Sequence, residues 1–208
     1  MKRRSLLKAG VAFAVPGVLS FGASAKPVSK AKAPKILVVY FSRPGMNYVS
    51  GDMVNLPVGN TEKFAKIIAK TLDAPLFRIE PVTPYPFDYR KTTAIAREER
   101  SAGKARDAKA IPDIRGYDVI FWGHPIWYGE MPYIVRGVLS KLDCAGKTIV
   151  PFVTHEGSGI GDTANLVRSF QKRAAVREGL GILGTRFARN EPVEPEITAW
   201  LKRLGYQK

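Results

Sequence analysis

The chain has 208 residues, of which 45% are hydrophobic and 25% charged, a balance that suits one globular domain and excludes global disorder. Its formal charge of +15 and pI near 10.0 favour anionic partners (phosphorylated cofactors, acidic proteins, anionic lipid heads or nucleic acid) without choosing among them. A single cysteine, Cys144, excludes an internal disulfide, and no Cys/His cluster has zinc spacing.

Residues 1–25 read as an address. Lys2-Arg3-Arg4-Ser5-Leu6-Leu7-Lys8 is a basic opening, Ala9 to about Phe21 is an apolar run, and Ala23-Ser24-Ala25 is a small-x-small cleavage site. The run is broken by Gly10, Pro16 and Gly17 and is too short for a stable membrane span, which needs about 20 apolar residues. The paired arginines resemble a twin-arginine export signal, and the other reading is an ordinary secretory leader. Either one sends the protein to the periplasm. Removal of the leader with its four cations leaves +11 on the rest of the chain, scattered among acids as on an ordinary solvated surface. Residues 26–34 are a Lys/Ala/Pro/Ser-rich linker, and residues 35–208 form the domain.

In the domain, short β-rich runs alternate with helical spacing. Strands are predicted at Lys35–Phe41, Pro75–Glu80, Tyr117–Gly123, Lys147–Val153 and Gly181–Ala188. Helices are predicted at Thr61–Leu72, Tyr89–Gly103, Pro132–Leu142, Asp162–Arg173 and Pro195–Leu204. This alternation with continuous apolar strands specifies an α/β, doubly wound parallel sheet. Ligands of such sheets bind beyond the carboxyl ends of the strands.

Three loops follow those ends. Ser42-Arg43-Pro44, with Gly59-Asn60-Thr61 at the start of the first helix, offers hydroxyls and free N–H groups to an anion; an ordinary helix cap fits Gly59-Asn60-Thr61 as well. Pro125-Ile126-Trp127-Tyr128-Gly129 sets two large aromatics side by side in a turn, where both cannot be core and a flat ring can stack. His155-Glu156-Gly157-Ser158 opens a glycine-rich segment whose backbone can approach a ligand closely. Both histidines, His124 and His155, fall on this edge of the sequence. His155 is the candidate proton donor to a bound ring or a substrate; a loop histidine satisfied by backbone is the other reading.

With these loops the chain from Lys35 onward resembles the flavodoxin family, in the branch whose first loop is expanded. The resemblance implies a five-stranded sheet of order 2-1-3-4-5 with helices on both faces, and FMN as cofactor. It implies phosphate binding by Ser42, Arg43, Asn60 and Thr61, with Pro44 beside them. It also implies that Pro125, Ile126, Trp127, Tyr128 and Gly129 run along the isoalloxazine, with His155, Glu156, Gly157 and Ser158 at its other side. The segment Gly45–Val58 splits the phosphate loop, a departure from the family pattern that leaves open whether Pro44, Gly45 or Tyr48 touches the phosphate or the flavin. No metal is expected. Three functions remain: electron transfer to an acidic redox protein or a small-molecule acceptor; NAD(P)H-dependent quinone, nitro or azo reduction; and a flavin-free binding module. Specific nucleic-acid binding and a stable membrane span are not expected.

Overall fold

Parallel strands with both faces covered account for the apolar runs. The computed structural model describes residues 33–207, so the predicted export signal and most of the linker lie outside the described residues. In chain order the elements are β1 (Ile36–Tyr40), β2 (Gly45–Val49), β3 (Asp52–Leu56), α1 (Asn60–Leu72), β4 (Leu76–Arg78), α2 (Tyr89–Ala102), β5 (Val119–Pro125), α3 (Tyr133–Leu139), β6 (Thr148–His155), α4 (Thr163–Phe170), β7 (Ala175–Val176), β8 (Leu180–Leu183), α5 (Gly184–Ala188) and α6 (Glu194–Arg203). The main sheet runs β4-β1-β5-β6, with β7 and β8 both paired to β6, and every pairing in it is parallel. This is the 2-1-3-4-5 order, with two short strands sharing the fifth position.

The split has a chemical cause. Strand β7 pairs with Thr148 and Ile149 and β8 with Phe152 to His155, so the interruption falls beside Pro151. Proline has no N–H to give to a ladder. The fifth strand expected over Gly181–Ala188 is therefore corrected. Only Leu180–Leu183 is extended, and Gly184–Ala188 is the short helix α5. The turn into helix carries Phe187 back onto the sheet, where it stacks on Phe64 with ring centroids 5.4 Å apart.

Side chains of β1, β5 and β6 alternate between two cores, as the period of two requires. Leu37, Val39, Ile120, Trp122 and Ile149 pack under α3 and α4. Val38, Tyr40, Phe121, Val150 and Phe152 pack under α1, α5 and α6. Asp88 caps α2 by accepting from Lys91 N–H at 2.8 Å, and Gly103 closes it at φ 61°.

The segment between the two halves of the first loop forms a hairpin. Strands β2 and β3 pair antiparallel from Gly45–Leu56 to Val49–Asp52. The tip residues Ser50 and Gly51 have φ of 50° and 106°, the left-handed pair of a two-residue hairpin turn.

Candidate functional site

The first loop leaves β1 into a tight crossing with the start of α1. Glu62 N–H donates to Ser42 Oγ at 3.1 Å. A Cβ on Gly59 would lie 2.3 Å from that oxygen and 2.6 Å from Arg43 O, so glycine is the residue that lets the two halves touch. With Gly59 as N-cap, no side chain of the cap residue takes up the first N–H groups of α1. Thr61 Oγ1 and Thr154 Oγ1 are 2.7 Å apart, which ties α1 to β6. Asn60 Oδ1 is buried without a hydrogen-bond partner.

Arg43 is buried, and its guanidinium donates to Met46 O, to Pro86 O at 2.9 Å and to Phe87 O at 3.2 Å. Burial lowers its pKa from the usual arginine value. The side chain thus staples the base of the hairpin to the segment before α2, and Met46 N–H donates to Phe87 O at 2.9 Å beside it.

The second loop turns sharply. Trp127 and Glu130 exchange both backbone hydrogen bonds, at 2.9 and 3.1 Å, around Tyr128 and Gly129 at φ 51° and 78°. Trp127 meets Phe41 and Tyr85 edge-on, with centroids 5.5 and 4.9 Å away. Tyr128 stands 40% exposed, and its hydroxyl donates to Thr93 O at 2.8 Å. One ring is therefore anchored to the core and the other faces solvent.

In the third loop, His155 Nδ1 accepts from Gly157 N–H at 3.1 Å, and burial lowers the ring's pKa. The imidazole is thus neutral and held by backbone. Glu156 accepts from Thr185 Oγ1 at 2.6 Å and, more weakly, from Ser50 N–H at 3.4 Å, linking this loop to α5 and to the hairpin tip.

These loops enclose a cavity of about 150 Å³. Ser42, Arg43, Asn60, Thr61, Pro125, Ile126, Trp127, His155 and Glu156 all line it. A second space of about 150 Å³ continues it between α2 and the aromatic turn, sharing Tyr89 and Trp127 and adding Tyr128. Pro44 faces a different cavity, and Gly129, Gly157 and Ser158 line neither of these two. His124 is not at the edge, contrary to its place in sequence. It is wholly buried in β5, Nδ1–H donates to Pro125 O at 3.0 Å, and Nε2 has no partner.

A family model described as flavodoxin matches residues 35–204. The chain belongs to the flavodoxin family. Among solved structures, this flavodoxin-family chain is similar to a candidate flavoprotein from Bacteroides eggerthii, at 27% identity and a TM-score of 0.64, covering 83% of this chain and 98% of that one. A second from Bacteroides uniformis shares its fold at 24% identity and TM-score 0.60, over 80% and 99% of the two chains. A flavoprotein from Lactobacillus acidophilus, solved in complex with FMN, shares the fold at 20% identity and TM-score 0.52, over 72% and 93%. No curated protein matches the chain.

Tyr48, left open by the sequence, and Thr154, the residue before His155, join the lining, and Asn47, Tyr89 and Gly184, which sequence reasoning missed, complete it. Asn47 and Tyr48 come from the hairpin, whose signal was the Ser50-Gly51 dipeptide between two short polar strands. Tyr89 follows the Asp88 cap and was read only as the start of a surface helix.

Proposed function

We propose that this protein binds FMN in the three-loop cavity and carries electrons in the bacterial cell envelope. The observation that carries the reading is the convergence of three elements on one cavity: the split loop, the Trp127 wall and the His155-Glu156 loop. The donor set fits the group. The start of α1, where Gly59 brings no capping side chain, and the Ser42 and Thr61 hydroxyls suit a phosphate, and the unpartnered Asn60 Oδ1 suits a ribityl hydroxyl. The half-exposed aromatic turn suits a flat ring that must remain reachable by a partner. When bound, FMN supplies one- and two-electron chemistry.

The chain's own residues orient and tune. Trp127 is held by Phe41 and Tyr85, so its stacking face is set before the cofactor arrives. Gly129 leaves the Tyr128-Gly129 peptide free to turn its carbonyl toward the ring. Neutral His155, satisfied by Gly157 N–H, serves as a wall more readily than as an acid. The basic surface stabilises an anionic reduced ring and selects acidic partners. The leader-like first 25 residues support an envelope location.

The test is an absorption spectrum of the purified protein, then titration of the apoprotein with FMN. Stoichiometric binding, weakened at least about tenfold by Trp127→Ala, is the expected result. A folded protein that leaves added FMN free would overturn the reading.

A further inference from the structure

The largest of the described cavities lies elsewhere. It measures about 530 Å³ and opens on the other side of the first loop, past the end of β4. The base of the hairpin, the segment Arg78–Pro81 and the stretch from Pro84 to Phe87 enclose it. Only Ser42 and Arg43 are shared with the three-loop cavity, from the opposite side of the loop.

Its walls are aromatic and stiff. Phe87 supplies the accessible ring, the buried Phe41, Ile79 and Tyr85 close the floor, and four prolines fix the backbone around them. A cavity with such walls loses little freedom when it is filled.

Its polar groups are mostly cations. Arg43, Arg78 and Lys109 line it against a single carboxylate, Glu80. Lys109 Nζ is 3.1 Å from Glu80 Oε2. Arg78 reaches Glu62 at 3.2 Å and Glu80 at 3.9 Å, and it donates to Ser42 O at 3.5 Å. Glu62 is itself shared with Lys66 at 2.6 Å. Arg43 spends its bonds on carbonyl oxygens alone. The carboxylates therefore leave a net positive cavity with an apolar body. That combination favours a ligand with both an apolar body and an anionic group, since a free phosphate gains only from the cations and a neutral solute only from the apolar wall.

We propose that this cavity is a second ligand site, for a small organic acid with an aromatic body and one anionic group. The body lies against Phe87 and the prolines, over the floor that Phe41 and Tyr85 close, and the acid group meets Arg78 and Lys109. The proposal does not depend on FMN occupying the other cavity.

The test uses the full chain with saturating FMN present. Two probes are titrated, 8-anilinonaphthalene-1-sulfonate by fluorescence and 2-naphthoate by calorimetry. One saturable site per chain is expected, unchanged by FMN. Asn55→Trp, at an exposed wall position on β3, should abolish binding of both probes while FMN affinity stays the same. Lys109→Ala should weaken 2-naphthoate about fivefold and leave the neutral analogue 2-naphthalenemethanol unaffected. Circular dichroism checks the fold of each variant, and if Asn55→Trp fails to fold, Lys109→Ala decides alone. Probe displaced by FMN, binding indifferent to these substitutions, or no saturable binding would each overturn the proposal.

Discussion

Each face of the sheet carries its own aromatic cluster, and the two have different fates. Under α1, α5 and α6, the rings of Phe64, Phe121, Phe152, Phe187, Trp200 and Tyr206 contact one another with centroids 4.9 to 6.3 Å apart. On the other face Phe41, Tyr85 and Trp127 meet edge-on, and Trp127 also forms a wall of the three-loop cavity. Apart from the half-buried Tyr206 at its rim, the first cluster is sealed, and it acts through stability. The second passes the rigidity of the core to a ligand wall. Ring packing thus serves two ends, and what separates them is whether a ring also lines a cavity.

The largest expected effect tests that division directly. Trp200→Ala, at a fully buried position, should cost about 3–5 kcal/mol in denaturant unfolding and leave the FMN affinity of the folded fraction unchanged. Trp127→Ala should do the reverse, with a smaller stability loss and a clear loss of affinity. Equal loss of both properties in both variants would break the comparison.

Acid should act on the open face. His124 follows the parity of Ile120 and Trp122, and burial, aided by the nearby Arg136 charge, lowers its pKa to about 4. The unfolded chain takes up the proton near pH 6.5 and the folded chain only near 4, so falling pH favours unfolding across that window. The loss should approach about 3 kcal/mol at pH 4. Urea midpoints measured from pH 7 to pH 4 should show it, and His124→Gln should remove most of the slope.

Two glycines sharpen the contrast further. A Cβ on Gly123 would lie 2.1 Å from the Phe152 ring, so Gly123→Ala should cost about 1–3 kcal/mol through overpacking of the sealed face. Gly129 has open space around it but φ 78°, so Gly129→Ala should cost only about 1 kcal/mol, from the backbone. In the FMN-loaded protein it should also shift the one-electron potentials. A thermal melt separates the two stability losses, and unchanged potentials in Gly129→Ala would remove the peptide from the tuning role.

How far these features could be read from sequence follows the same division. Strands β1, β5 and β6 are continuous apolar runs because both their faces are buried, and such runs are legible. Strand β7 is two residues long, below any period. In β3 four of five residues are exposed, so its only pattern lay in the turn. The candidate loops are legible because they follow strand ends, and nine of the fourteen residues that the family pattern implies line the first cavity. His124 was misplaced because its position next to Pro125 looked like loop, whereas the strand runs on through both. Tyr89 reaches the cavity only through tertiary placement, which no local spacing encodes.

The hairpin within the first loop has a practical consequence. Because Gly45 pairs with Leu56, its two ends meet, and the span from Ser42 to Asn60 does not depend on how far the strands extend. Its tip, Ser50-Gly51, is exposed and holds to the body through one long bond to Glu156. A peptide tag or fluorophore-bearing cysteine placed there would report on the loop without entering it, which makes the departure from the family pattern a ready attachment point for following ligand entry.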